Sequence, residues 1–318
     1  MPHRSGLAVV TETSAQLSGS HRPLTGVVIV SYRVPGLLEA CLLSLRAART
    51  ADDLRVVVVD NASNDTSENI VRRAFPAAEF IGLTRNIGYG RANNVGIDRL
   101  RETCAPRSYL LLNPDTVVPG TAIERLHRTL AEFPTIGAVG PRLELKNGEI
   151  DPACRRGFPS PLTALFHLGG IARIAPRSRI AGRYRLTFLD ERAVADVDSL
   201  VGACMLVRAE AMDAIAGFDE SFFLYGEDLD LCWRIRTAGW RIVYDGRVDV
   251  MHHKRSSAAR NPRSLIEFYR AMRLFYRKHY DATTPPLGRI AVEVAISSLI
   301  AIAALMPKLR NRLPGAAT

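Results

Sequence analysis

The chain is poor in cysteine, has no paired cysteines and carries no long apolar run near its start, and each lack removes a class of protein. Five cysteines (Cys41, Cys104, Cys154, Cys204 and Cys232) are scattered through 318 residues with no CxxC pair. A disulfide framework or zinc ribbon is therefore not expected, and a reducing cytoplasm is the natural setting. The first 25 residues are polar, with Leu7-Ala8-Val9-Val10 as their apolar run. That run is too short for a signal-peptide core, so export is not expected. No helix-turn-helix, RNA-binding or zinc signature accompanies the formal charge of +10, so nucleic acid is not the expected partner. What is present, 47% hydrophobic and 23% charged residues, is ordinary globular composition. The positive excess asks for an anionic partner, such as a nucleotide diphosphate or a lipid surface.

Regular structure is expected to begin at Val27-Val28-Ile29-Val30-Ser31, a β-branched run that reads as a buried strand. Leucines and small residues from Leu37 to Ala48 have helical spacing, and Arg55 to Asp60 is a second buried strand ending on a carboxylate. Ser67 to Phe75 reads as a helix, Ala78 to Leu83 as a short strand and Gly90 to Arg101 as a helix. Tyr109-Leu110-Leu111-Leu112 is a third apolar strand, running into Asn113-Pro114-Asp115. Alternating strands and helices predict an α/β fold with a mainly parallel sheet flanked by helices. Ligands of such sheets sit at the carboxyl ends of the strands, where Asp60 and Asp115 lie. From Pro152 to Ala193, arginines (Arg155, Arg156, Arg173, Arg177, Arg179, Arg183, Arg185) stand among Gly and Pro with little periodicity, which reads as a mobile basic loop. Order is expected again from Val197 to about His252.

Four constellations carry candidate chemistry. Asp60-Asn61-Ala62-Ser63-Asn64-Asp65 places a carboxylate at a strand end, where it could accept hydrogen bonds from a nucleobase or ribose; a plain turn with helix caps explains it as well. Arg85-Asn86-Ile87-Gly88-Tyr89-Gly90-Arg91-Ala92-Asn93-Asn94 opens a helix with glycines that let backbone approach a phosphate. It is not a Walker loop, since no Gly-Lys-Ser/Thr follows. In Asn113-Pro114-Asp115 the proline fixes the turn, holding Asp115 where Mg²⁺ or Mn²⁺ could bridge it to a pyrophosphate. Glu227, Asp228 and Asp230 follow the aromatic run Phe222-Phe223-Leu224-Tyr225 just before an expected helix from Leu231 to Thr237. Capping explains one or two of these acids; a dense acidic cluster against apolar surface suits a general base. His252-His253, after the strand-like Arg247 to Met251, offers a further metal ligand or an ordinary buried histidine.

In order, DNASND, RNIGYGRANN, NPD, GACMLVR, GFDESFFLYGEDLDLCWR and a late His resemble glycosyltransferase family 2, in particular its rhamnosyltransferase-like branch acting on polyprenyl-linked acceptors. The likeness covers roughly Leu24 to Tyr280. It implies a GT-A fold, a nucleotide-sugar donor, a divalent metal and inversion at the anomeric carbon. Carried onto this chain, it implies Asp60 as reader of the base, with Ser31 and Tyr32 lining the same pocket and Asn61 and Asp65 nearby. Arg85, Asn86, Gly88, Asn93 and Asn113 would line the path of ribose and diphosphate. Asp115 resembles the last acid of the family's metal motif, with His252, in preference to His253, as second ligand; Asn113 stands where many members have Asp. Asp228 resembles the base, and Glu227 and Asp230 would orient the acceptor. L-rhamnose from dTDP-rhamnose is the expected donor group, ahead of galactofuranose, galactose or N-acetylglucosamine from UDP.

The expected organisation is a disordered tail over 1–24, a catalytic domain over 25–258 and a helical region over 259–318. Within the catalytic domain, the nucleotide half spans about 25–150 and the acceptor half about 195–258. In the helical region, Ser264 to Tyr280 mixes aromatics with Arg270, Arg273, Arg277 and Lys278, as an amphipathic helix does. Ile290 to Met306 is a 17-residue apolar stretch holding Glu293, at the lower limit for spanning a bilayer. An interfacial helix is expected, with the protein on the inner face of the membrane; homo-oligomer formation is left open. Two other classes compete. Sugar-phosphate nucleotidylyltransferases need a glycine- and arginine-rich loop after the first strand, where Ser31-Tyr32-Arg33-Val34-Pro35-Gly36 does not fit. A non-catalytic basic membrane or nucleic-acid binding protein leaves the clustered acids unexplained.

Overall fold

The β-branched runs form the centre of the sheet. In the computed structural model, residues 24–49, 53–160, 178, 182–254 and 262–310 are described. Strands β1 (Thr25–Ser31), β2 (Leu54–Asp60), β3 (Glu79–Gly82) and β4 (Ser108–Leu112) run parallel in the order β3-β2-β1-β4. The valines, leucines and isoleucines of β1, β2 and β4 are almost wholly buried, each side chain contributing about 1.5–3 kcal/mol. Helices α1 (Pro35–Arg46), α2 (Ser67–Ala74) and α3 (Tyr89–Thr103) make the crossovers. Pro35 opens α1 where its missing N–H costs nothing.

Beyond β4 the chain adds the two-residue β5 (Thr116–Val117), helix α4 (Ala122–Glu132) and strand β6 (Ile136–Glu144). Then come β7 (Val194–Asp196), β8 (Cys204–Arg208), the short α5 (Ala209–Ala214), α6 (Glu227–Thr237) and β9 (Arg241–His252). The sheet order is β3-β2-β1-β4-β8-β6-β9-β5, with β7 also on β9. Strand β8 is antiparallel to both β4 and β6, whereas β6 and β9 are parallel. The α/β class is therefore the expected one, but the sheet is mixed, with its parallel order concentrated in the first four strands.

Register places the candidate residues on one edge. Ser31 pairs with Asp60 and Asp60 with Gly82, so the ends of β1, β2 and β3 are level. Thr116 pairs with His252 across β5 and β9, which brings Asp115 beside that histidine.

Helix α7 (Pro262–His279) packs on the catalytic sheet unit through its aromatic face. Phe275 lies edge-on to Trp233 of α6 at 5.8 Å, and the Phe158 ring meets the same indole at 4.7 Å, tilted by 51°. The aromatics expected to meet lipid are thus largely spent on the protein's own surface. The last helix, α8 (Pro286–Arg310), lies along α7. Glu293 faces α7 and pairs with Arg277 at 2.7 Å and Arg273 at 3.3 Å, so the one carboxylate of the apolar stretch is neutralised. Ile296 and Ala303 are buried on that inner face. Leu287, Ile290, Val294, Ile302 and Leu305 line the opposite face, 51% to 83% exposed, at helical spacing. The tail before residue 24, most of the basic loop (161–177 and 179–181) and Ser257 lie outside the described residues.

Candidate active site

The first corner forms where β4 ends. Pro114 turns the chain, the Asp115 carbonyl accepts the His253 N–H at 2.8 Å, and the His252 ring faces the Asp115 carboxylate, Nε2 to Oδ1 3.3 Å. Of the two adjacent histidines, His252 is the one aimed at Asp115. Its Nδ1 lies 3.0 Å from Asp151 Oδ2, and Asp151 is fully buried with Lys254 Nζ on its other oxygen at 2.9 Å. Burial works against the His252 imidazolium, but the hydrogen bonds to Asp115 and Asp151 outweigh it and hold its pKa up at about 9. Burial likewise opposes the Asp151 charge, yet His252 and Lys254 hold it well below the carboxylate range.

This donor set fits a divalent cation. A buried carboxylate on Nδ1 fixes the ring and leaves Nε2 pointing at Asp115, the arrangement that orients a ligating imidazole. Among the described residues no group of three or more His, Cys, Asp or Glu is gathered for a metal. Two protein ligands with substrate phosphates completing the shell is the habit of magnesium-type sites.

The second corner is the start of α6. The helix begins at Glu227 and not at Leu231, so all three acids fall in its first turn, where the helix dipole favours them. Gly226 enters it in a left-handed conformation (φ 78°). Asp228 Oδ2 accepts from Arg156 Nη2 at 2.6 Å and from the Gly202 N–H at 3.3 Å; Oδ1 accepts the Leu229 N–H at 2.8 Å. Arg155 and Arg156, expected in a mobile loop, are instead buried: Arg155 donates to Asp190 O and Leu189 O, and Arg156 to Leu200 O. Glu227 is buried beside them. Desolvation first, and then the charge of Asp228, push its pKa up to about 8. Asp230 is fully buried and held by Arg234 at 2.7 Å, Lys278 at 2.7 Å and His279 at 2.8 Å. It ties α6 to α7.

Tyr89 joins the corners, although sequence reasoning passed over it. Its hydroxyl is 2.9 Å from Asn113 Oδ1 and 3.0 Å from Gly202 O. Burial, followed by Glu227 and then Asp228 and Asp115, raises its pKa beyond the ordinary range, so it stays a neutral donor. Arg156 and Asp151 were missed for the same reason: a single Arg or Asp in an irregular stretch carries no periodic signal.

The nucleotide side is built at the ends of β1 and β2. Asp60 accepts the Ser63 N–H at 2.9 Å and the Ser63 hydroxyl. Ser31 Oγ is buried without a hydrogen-bond partner, and Tyr32 is exposed with the Arg33 guanidinium over its ring. Asn61 uses both ends of its amide to hold the next loop, accepting from Ile87 N and donating to Gly88 O. Asp65 Oδ1 accepts the Ser67 N–H at 2.9 Å and the Ser67 hydroxyl at 2.6 Å, just ahead of α2. Asn86 Oδ1 accepts the Gly88 N–H, Arg85 is exposed, and Asn93 is buried with Oδ1 unpartnered. Asn94, absent from the expected set, clamps Phe218 through both its N–H and its carbonyl.

Gly88 has φ 92°, and a Cβ there would meet the Phe223 carbonyl oxygen at 2.6 Å. Gly88→Ala is expected to lower stability by about 1–3 kcal/mol. Chemical denaturation would check it; an unchanged midpoint would show that the loop shifts freely.

A mixed α/β sheet with acids gathered along its carboxyl edge is the architecture of a GT-A glycosyltransferase. The chain belongs to the family described as glycosyltransferase-like family 2, whose model matches residues 21–271. It is 33% identical over 245 residues to the N-acetylglucosaminyl-diphospho-decaprenol L-rhamnosyltransferase of Mycobacterium tuberculosis, covering 75% of this chain and 78% of that one. It is 27% identical over 238 residues to the rhamnosyltransferase WbbL of Escherichia coli K12, covering 71% and 82%. Among solved structures, the mannosyltransferase PcManGT from Pyrobaculum calidifontis, in complex with GDP-Man and Mn²⁺, superposes with TM-score 0.56 at 20% identity, over 94% of this chain and 77% of that one. That likeness speaks for the fold. The protein is a glycosyltransferase.

Proposed function

We propose that this glycosyltransferase moves L-rhamnose from dTDP-rhamnose to a hydroxyl of a polyprenyl-diphosphate-linked saccharide in cell-envelope polysaccharide synthesis, with inversion. The observation that carries the reading is the 33% identity, across three quarters of the chain, to an enzyme named as an L-rhamnosyltransferase of N-acetylglucosaminyl-diphospho-decaprenol. The geometry supports it. The nucleotide would lie along Asp60, Ser31 and Tyr32, with Gly88 and Asn113 beside the diphosphate. A divalent cation, Mg²⁺ or Mn²⁺, held by Asp115 and His252 would supply countercharge to the leaving diphosphate.

Asp228 takes the proton of the acceptor hydroxyl. That oxygen forms its bond to the anomeric carbon from the face opposite the diphosphate. The bond from carbon to phosphate oxygen breaks, and its electron pair leaves with the nucleotide diphosphate. One displacement inverts the centre. Tyr89 holds Asn113 and the Gly202 carbonyl in register, so the donor and base corners stay aligned.

Transfer assays pairing dTDP-rhamnose and UDP-sugars with a short polyprenyl-diphosphate N-acetylglucosamine test this. Turnover with dTDP-rhamnose above the UDP-sugars is expected; preference for a UDP-sugar would refute the donor, and activity on free saccharide alone would refute the acceptor.

A lipid acceptor calls for a membrane surface, and α8 supplies a face for one. Residues Pro286–Leu305 have mean hydropathy 1.8 and only 11% of the stretch is buried. Among the described residues of that stretch the outer face carries no charge, as the lipid side of an interfacial anchor requires, while Arg273, Arg277 and Lys278 of the neighbouring helix are engaged by Glu293 and Asp230. Val294→Asp with Ile302→Asp is expected to weaken flotation with phosphatidylglycerol vesicles roughly tenfold or more. Undiminished flotation of the folded variant would remove α8 from membrane contact.

A further inference from the structure

We propose that Arg156 is a positioning residue of this site, selecting Asp228 over its neighbour Glu227 as the carboxylate that takes the acceptor's proton. The inference rests on the reading of Asp228 as the base.

Arg156 cannot easily move. Its backbone is locked to Ser199 by a reciprocal pair of hydrogen bonds, each 2.9 Å. One guanidinium nitrogen reaches both the Leu200 carbonyl at 2.9 Å and Asp228 Oδ2 at 2.6 Å, and the residue is buried. With the Gly202 N–H also on Oδ2, that oxygen is committed. Oδ1 carries the Leu229 N–H and keeps a lone pair for the incoming proton. Charge-assisted contacts of this kind are short and directional.

Glu227 has been given no such contact: its Oε2 is buried without a hydrogen-bond partner. Of two adjacent buried acids, the one with no cation bonded to it is the one pushed toward its protonated form, and that one is Glu227. That split agrees with the raised pKa of Glu227, about 8. The other titratable groups around the pair are Tyr89 of α3 and Cys232 one turn along α6, both raised by burial. Tyr184 faces Arg156 from the segment before β7. Arg156 exchanges no proton; it acts through the aim and charge of Asp228.

The test is the pH profile of transfer by R156Q and R156K, with donor affinity and thermal melts measured beside it. R156Q is expected to lower kcat about a hundredfold, leave the donor KM within about twofold and move the acid limb of kcat up by about one pH unit or more. R156K, which restores a cation without the fork, should recover part of kcat and shift the limb less. A folded R156Q with the wild-type limb overturns the inference, as does an R156K profile unchanged from wild type if R156Q fails to fold. Asp228→Asn separates the two readings: if it transfers normally, the base assignment falls; if it is dead while R156Q is normal, only the role of Arg156 falls.

Discussion

Asp228→Asn is expected to lower kcat by about 10²–10⁴-fold, the usual worth of a positioned general base, while donor affinity stays within about twofold. The substitution keeps the shape and removes the proton acceptor, and its single amide oxygen can keep only one of the hydrogen bonds that Gly202 and Leu229 donate to the two carboxylate oxygens. It also leaves the buried Arg156 facing a neutral amide, which adds a structural contribution to the loss. A thermal melt and a donor titration beside the rate separate these contributions. Loss of donor binding in step with kcat would take Asp228 out of the base role, because an acid acting on the acceptor hydroxyl should not touch the nucleotide.

Asp115→Ala is expected to weaken metal-dependent donor binding about 100-fold or more, since it removes one of the two proposed protein ligands. Calorimetry of Mn²⁺ with dTDP checks it, and an unchanged affinity would move the cation elsewhere. The same corner predicts a pH dependence. Raised from 6.5 to about 9 without metal, the His252 imidazolium contributes stability in full below pH 6.5 and loses it as pH climbs through 9. A cation needs the Nε2 lone pair that the proton occupies. Metal affinity should therefore rise across that window, and near pH 7.5 each ion bound should expel about one proton, read from the buffer dependence of the heat.

Much of the fold was legible because local rules decide it. Continuous Val and Leu runs mark β1, β2 and β4, and apolar spacing marks α1 to α3 within a few residues of their ends. Strand β5 has only two residues, and β6 and α4 were not anticipated from sequence. The onset of α6 was placed four residues late, because acids ahead of a helix and acids in its first turn look alike as sequence. Asp115 with His252 could be put together from the resemblance, and the β5–β9 register does bring them together. Asp151, Arg156 and Tyr89 could not, since nothing near each in the chain announces its partner.

By itself, then, the sequence determined the class of fold, the strand ends that carry acids, and the family, because these depend on short-range periodicity and on ordered motifs. Tertiary structure alone decided which charges meet. It set Arg156 on Asp228, Asp151 on His252, His279 and Lys278 on Asp230, and Arg277 on Glu293. The partners in these pairs lie from 16 to 101 residues apart. Such pairs follow from strand register and helix docking. Buried charge must find a partner wherever the folded chain happens to bring one.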